Sequence, residues 1–340
     1  MRLLIVGNPR PTHVGRHFLH AARALGHEVE LMDVNQASAG PVWWRRVCWH
    51  LFGHRPPRLG RFSRDVAARC HVWRPDGVLV TGISPVNEPA LRQISAAGIP
   101  VANFLTDDPW NAQHRAPWFM RALPHYRHVF TPRHANEGDL HAHGVKGVSW
   151  LPFAYAPEDH HPPLHVSAEE RQRWSGLLAF IGGADHDRAA VVRHLARAGV
   201  PLGLWGGYWA GMPEFSAWAH GHADAETCRK IVAAAGVNLG LVRKANRDGH
   251  SMRSYELPAT GGSLLVEDTA DHRLLFGQDE SAALLFDSDE SLVRQARRLL
   301  DMSPETRDGM AREARRRVTG GANTYADRLK SMAPLLSLLA

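Results

Sequence analysis

The 340-residue chain carries 40 Lys and Arg against 34 Asp and Glu, a formal charge of +6, with 44% hydrophobic and 22% charged residues. This balance excludes a disordered or collagen-like polymer and suits about two domains of ordinary size, each with its own core. The charge is local: eight arginines and one acid put +7 into residues 41–75, so the other 305 residues come to −1 and a general nucleic-acid coat is excluded.

Leu3-Leu4-Ile5-Val6 predicts a short buried strand, followed by a Gly/Pro loop. Val14, Phe18, Ala21, Ala22 and Leu25 have helical spacing, Gly26 stops that helix, and residues 27–34 read as a second strand. After the basic segment the alternation resumes, with strands at 78–80, 101–105, 128–131 and 148–151 and helices at 88–97 and 135–143. The Pro- and His-rich stretch 157–163 breaks the rhythm and reads as a linker. A second series follows: a strand at 177–181 ending in Gly182-Gly183, a helix at 188–198, a strand at 201–205, a helix at 225–235 and a strand at 236–241. A short helix at 251–260 ends at Gly261-Gly262, a strand follows at 263–266, and the chain is helical from residue 288. The expected organisation is an α/β chain of two Rossmann-like domains, 1–155 and 177–320, with a linker at 156–176 and a C-terminal helix at 321–340.

The richest segment for chemistry runs from Asn246 to Gly262. Its first half forms a loop at the carboxyl end of a strand, the edge at which open α/β sheets collect ligands. The loop and helix start offer backbone N–H groups to a phosphate, and Arg243, Lys244 and Arg253 bring three cations around it. Glu256, one turn into the helix, is placed to accept hydrogen bonds from a vicinal diol such as a ribose. Earlier in the same half, Gly182 and Gly183 let a ligand approach the backbone, and Arg188 opens the next helix with a guanidinium that can fork onto phosphate oxygens. A solvated charged loop and an ordinary tight turn remain the plainer readings of these two segments.

Glu256-Leu-Pro-Ala-Thr-Gly261 resembles the acidic element of retaining GT-B glycosyltransferases, in which a Glu precedes a small-residue stretch and a Gly. There an acidic pair is separated by seven residues, and here Asp248 and Glu256 take the two places, Asp248 being one methylene shorter than the usual Glu. The whole text is similar to the CgeB-type (spore-maturation-like) glycosyltransferases through four patches in order. These are Asp107-Asp108-Pro109, Leu151-Pro152-Phe153-Ala154, Phe180-Ile181-Gly182-Gly183 with Arg188, and Ser251-Met252-Arg253-Ser254-Tyr255-Glu256. The resemblance implies a GT-B fold, two Rossmann-like domains facing across a cleft with a C-terminal helix that crosses back to the first. It also implies a nucleotide-diphosphate-sugar donor in the second domain, an acceptor facing the first, and transfer with retention. Gly182, Gly183, Arg188, Arg243, Lys244, Ser251, Arg253, Glu256 and Gly261 become the expected donor-binding residues, Asp248 the contact to the donor sugar, and Arg188 and Arg253 the stabilisers of the diphosphate leaving group. Arginines in that role stand in for a metal, so no metal or cofactor is expected.

Asp107 and Asp108 follow a strand, and one of them could take a proton from an acceptor hydroxyl, Asp108 alternatively ordering the turn before Pro109. The loop Gly7 to Gly15 lacks the G-x-G-x-x-G spacing, which rejects a Rossmann dehydrogenase and leaves Arg10 and His13 as acceptor-side candidates. The 22 histidines include His141-Ala-His143, His160-His161 and His220-Gly-His222 but no convincing metal-ligand spacing, so dispersed surface histidine is the expectation. Residues 41–75 mix arginines with Trp43, Trp44, Trp49, Phe52, Phe62 and Trp73, a composition for an anionic membrane face or an anionic acceptor; the plainer reading is an insertion packed on the first domain with its charges solvated, because Pro56-Pro57 argues against one continuous amphipathic helix. The odd trio Cys48, Cys70 and Cys228 makes no disulfide framework. Leu3 to Val6 is too short for a signal-peptide core, and no run approaches a spanning helix. A cytoplasmic protein is expected, with contact to the inner face of the membrane left open. The sequence points to a glycosyltransferase whose acceptor is a glycan, a lipid-linked sugar, a protein or a small molecule. A nucleotide-sugar epimerase of similar fold and a degenerate GT-B binding or assembly protein are the alternatives.

Overall fold

The structure, a computed structural model, describes residues 1–336, so the end of the helix expected at 321–340 lies outside the described residues. The chain divides into two compact units: residues 1–152, 245–247 and 325–340 form unit 1, and residues 153–244 and 248–324 form unit 2.

In unit 1 a six-stranded parallel sheet has the order β2-β1-β3-β4-β5-β6. Its strands are β1 (Arg2–Gly7), β2 (Glu28–Asp33), β3 (Gly77–Thr81), β4 (Val101–Phe104), β5 (His128–Thr131) and β6 (Val148–Trp150). Leu3, Leu4, Ile5 and Val6 are all fully buried, as the uninterrupted apolar run of a strand covered on both faces requires. Each fully buried Leu or Ile contributes about 1.5–3 kcal/mol. The helices are α1 (Val14–Ala24), α2 (Val42–Leu51), α3 (Leu59–Trp73), α4 (Glu88–Ala96), α5 (Pro117–Ala122) and α6 (His134–Ala142). The basic segment is thus two helices, split at the Pro56-Pro57 break. α3 buries Leu59, Phe62, Val66, Ala67 and Cys70 in the unit's core.

Unit 2 repeats the plan with a sheet of order β12-β11-β10-β7-β8-β9. The strands are β7 (Leu178–Ile181), β8 (Leu202–Trp205), β9 (Ala219–Gly221), β10 (Val237–Gly240), β11 (Leu264–Glu267) and β12 (Ala283–Phe286), all paired in parallel. Strand order reverses between β7 and β10, so the loops leaving those two strands flank the crevice at which such sheets bind ligands. The helices are α7 (Ala168–Trp174), α8 (His186–Arg197), α9 (Ala225–Ala234), α10 (Arg253–Thr260), α11 (Ala270–Phe276), α12 (Asp289–Asp301) and α13 (Pro304–Thr319). α7 falls inside the span expected as a linker and is closed by a Ser167/Glu170 capping box.

The last described helix, α14 (Tyr325–Leu336), belongs to unit 1, so the chain does cross back. Tyr325 stacks on His17 with ring centroids 5.0 Å apart and meets Phe18 edge-on at 5.1 Å. Buried Arg328 donates from Nε to the carbonyl of Pro152 at 3.0 Å. Gly77 is needed here, because a Cβ would lie 2.0 Å from the carbonyl oxygen of Leu336.

Candidate active site

The exit of β7 is the centre of a cationic cluster within unit 2. Asp185 caps α8 by accepting from the Arg188 N–H at 2.9 Å, which fixes Arg188 in the first turn. The Arg188 guanidinium folds back to donate to the carbonyl of Gly183 at 3.0 Å and lies 5.6 Å over the Phe180 ring. Arg253, at the start of α10, donates from Nε to the carbonyl of Ile181 at 3.0 Å. Arg243, in the loop after β10, reaches Asp185 with Nε 3.8 Å from a carboxylate oxygen whose other neighbour is Arg188 Nε at 3.5 Å. Arg188 and Arg243 therefore meet at Asp185, and Arg253 joins them at the end of β7, beside the switch point of the sheet. Burial, and next the charge of Arg243, push the Arg188 guanidinium below its ordinary pKa, the condition of a cation among cations. Such a group is poised to receive anionic oxygens.

Glu256 sits behind this cluster with a side chain only 3% exposed, paired with Arg253 through Oε2. Its Oε1 lies 3.6 Å from Nε2 of His160. The Ala156 N–H donates to Nδ1 of His160 at 3.0 Å, so the neutral ring carries its proton on Nε2, toward the carboxylate. Burial outweighs the pull of Glu256 and lowers the His160 pKa. Dispersed surface histidine was the expectation here, and it does not describe His160, which is a buried neighbour of the acidic element. Nothing in the His160-His161 dipeptide announces Glu256, because the contact forms only when the sheet folds.

The loop before α10 is pinned from behind. The Asp248 N–H donates to the carbonyl of Arg243 at 3.3 Å, closing the turn that brings Asp248 within electrostatic reach of Arg188. Gly249 packs so close to Asp271 that a Cβ would lie 2.3 Å from its carboxylate. Next to it, Nδ1 of His250 donates to Asp271 at 2.6 Å while Nε2 accepts from the Phe153 N–H at 3.1 Å. The Ser251 N–H donates to Ser254 Oγ at 3.0 Å, and Ser254 Oγ lies 2.7 Å from Nε2 of His272. Nδ1 of His272 is 2.6 Å from the carbonyl of Glu267. His250, Asp271 and His272 were not singled out from sequence.

Of the other expected donor residues, Gly261 stands apart, while Lys244 shares a cavity with Arg188. Gly261 takes φ +95° as the left-handed C-cap of α10, a helix stop about 12 Å along the axis from Arg253. Lys244 is exposed and lines, with Asp187, Arg188, His194 and Glu267, a cavity of about 230 Å³. That volume is below the roughly 300–1,000 Å³ of sites for drug-sized ligands. Burial raises the Glu267 pKa there.

In unit 1 the two adjacent acids part company. Asp108 is 1% exposed; it accepts from the Trp110 N–H and from Asn136 Nδ2, each at 3.0 Å, and from Arg247 Nε at 2.7 Å. Arg247, in the left-handed region at φ +53°, also donates to Asp139 at 2.7 Å, and both carboxylates raise its pKa. Asp107 is half-buried, accepts from Thr106 Oγ1 at 3.1 Å and stands 3.9 Å from His114 Nδ1. The exit of β1 places Arg10 and His13 at the surface, with the Arg10 N–H on Asn8 Oδ1 at 3.0 Å and His13 preceding α1 as a cap residue without a side-chain cap bond.

Residues 188–333 match a family model described as glycosyl transferase-like. A search of curated proteins gives no match. Among solved structures, sucrose-phosphate synthase from Thermosynechococcus elongatus superposes with a TM-score of 0.70 at 14% identity, over 99% of each chain. E. coli trehalose-6-phosphate synthase bound with UDP-2-fluoro glucose gives 0.68 at 13% identity, over 100% of each chain. A candidate UDP-N-acetylglucosamine 2-epimerase from Listeria monocytogenes gives 0.60 at 16% identity, over 98% of this chain and 95% of the other. Two parallel six-stranded sheets, each flanked by helices and followed over the full length of these chains, establish a two-domain α/β fold of the GT-B type.

Proposed function

We propose that this chain is a GT-B glycosyltransferase of the CgeB type that takes its sugar from a nucleotide-diphosphate donor bound on unit 2. The observation that carries the reading is the convergence of Arg188, Arg243 and Arg253 on the exit of β7, with the buried carboxylate of Glu256 behind them. The cations answer a diphosphate, and Glu256 answers the ribose hydroxyls. Arg253 pairs with Glu256 and so links the carboxylate that meets the diol to the cations that meet the phosphates. In the transfer, the bond from the anomeric carbon to the β-phosphate oxygen breaks. A bond from an acceptor oxygen to that carbon forms, and the acceptor proton leaves with the phosphate. Arg188 and Arg253 stabilise the charge that develops on the departing oxygen, which makes transfer independent of a metal. Retention is carried over from the likeness of Asp248 and Glu256 to the acidic pair of retaining GT-B glycosyltransferases, with Asp248 on the donor sugar. Asp107, rather than Asp108, whose carboxylate Arg247 already occupies, meets the acceptor.

Melting of the full chain with UDP, GDP, ADP and TDP, followed by a donor-consumption assay, tests this reading. One diphosphate should raise the melting temperature, the matching sugar nucleotide should be hydrolysed slowly, and Glu256→Ala should abolish both effects. No shift with any diphosphate, together with an indifferent Glu256→Ala, would overturn the donor site. Interconversion of sugars without consumption of donor would make it an epimerase, the activity suggested by the Listeria structure, and binding without turnover a degenerate binding protein.

A further inference from the structure

α2 has ten residues, and Cys48 is its one buried side chain. A helix this short is marginal in water unless one face is packed, so so little burial points to a second surface that covers it. Trp43, Trp44, Leu51 and Phe52 form an apolar ridge, exposed by 66%, 38%, 74% and 53%. Trp44 links it, 5.7 Å from the Trp43 ring and 6.3 Å from that of Phe52. The opposite side of the helix, with Arg45, Arg46 and His50, lines a cavity of about 430 Å³ that Arg55 and Pro56 help to close. Trp49 stacks on His54 at 4.3 Å and ties that loop to the helix. Residues 41–58 contain four arginines and no acid.

A contiguous apolar ridge marks an interaction surface, and the charge beside it selects the occupant. A second copy would set one acid-free basic surface against another across a two-fold axis, which like-charge repulsion opposes. A nucleic acid would satisfy the arginines but leave Leu51 and Phe52 without an apolar partner. An anionic bilayer satisfies both halves: tryptophan rings lie at headgroup depth and arginines meet lipid phosphates. We propose that α2 and the loop after it dock the chain on an anionic phospholipid surface, with the ridge inserted and a headgroup phosphate in the arginine-lined cavity.

Co-sedimentation of the full chain with phosphatidylglycerol–phosphatidylcholine vesicles, against phosphatidylcholine alone, tests this. Binding should be at least about tenfold stronger to the anionic vesicles and should fall at about 0.5 M salt, where screening is within a few ångströms. Arg45→Gln with Arg46→Gln should weaken it by about 25-fold, roughly fivefold for each charge. Trp43→Ser with Leu51→Ser should weaken it comparably and remove quenching of tryptophan fluorescence by brominated lipid. These side chains are exposed, so the variants should melt like the parent, and the salt arm needs no variant. Absence of vesicle binding by the folded chain overturns the proposal, as does binding indifferent to both variant pairs. A dimer dispersed by Leu51→Ser would assign the ridge to a second copy, and saturation by inorganic phosphate without vesicle binding would make the cavity a site for free phosphate.

Discussion

Nε2 of His160 stands 3.6 Å from Oε1 of Glu256, and the Ala156 N–H on Nδ1 keeps the ring's proton on the side of the carboxylate. The separation is longer than a hydrogen bond, so the imidazole orients Glu256 without binding it tightly. His160→Ala should therefore weaken nucleoside-diphosphate affinity by about three- to tenfold, less than the full loss of a charge-assisted bond. His160→Gln, which can still offer an N–H, should restore part of it. Calorimetric titration reads the affinity, and a split between KM and kcat identifies a positioning role: KM should rise while kcat stays within about twofold. An unchanged KM in the Ala variant would remove His160 from the donor site.

Arg188 and Arg253 brace themselves on backbone carbonyls two residues apart, Gly183 and Ile181. Arg188→Ala leaves that carbonyl to solvent or to the glycine turn, so stability should change little. The loss should fall on transition-state charge, about 10²–10³ in kcat/KM, as for removal of one preorganised donor. Arg188→Lys restores charge but not the fork, and should recover only part. Wild-type turnover in Arg188→Ala would exclude the leaving-group role.

Asp107 and the neighbouring Asp108–Arg247 pair should respond differently to substitution. Asp108 is buried with three donors on it, and Arg247, half-exposed, supplies one of them. Arg247→Ala should cost about 2 kcal/mol, below the roughly 3–5 of a fully buried pair because solvent screens the guanidinium. Asp107→Asn should leave the urea midpoint unchanged and lower turnover. Denaturation and activity measured on both variants decide the matter, and the reverse pattern would exchange the two roles.

The fold was largely legible because its signals are local. Apolar runs such as Leu3 to Val6 mark strands buried on both faces, and Gly26, Gly98 and Gly199 stop the helices between them. What was not legible depends on pairs far apart in the chain. Arg247 sits in the acid-and-base-rich loop read as part of the second domain, yet Ala245–Arg247 packs in unit 1, because Asp108 and Asp139 need its charge. Gly249 reads as an ordinary loop glycine until Asp271 closes on it. Gly261 carries a motif resemblance whose local reason is the left-handed cap of α10. The helices at 117–122 and 270–276 are too short for periodicity to reveal.

The same layer of distant partners gives the chain an acid-sensitive joint behind the α10 loop. Burial, above all, lowers the His272 pKa to about 4, against the opposing pull of the Glu267 carbonyl that faces its Nδ1, while its Nε2 accepts from Ser254. The unfolded chain takes up this proton near the ordinary value of 6.5, whereas the folded chain resists it until about pH 4. Between those values the unfolded state binds more protons, so stability falls as pH drops and is fully present only above 6.5. The single group accounts for roughly 3 kcal/mol over that window, at about 1.4 kcal/mol for each pH unit. His272→Asn keeps a donor toward Glu267 but removes the acceptor for Ser254, and should cost about 1–3 kcal/mol at pH 7.5. Its stability should then decline less steeply on acidification, so that the two urea-unfolding curves converge near pH 4.5. Parallel curves across that range would show that another group carries the acid response.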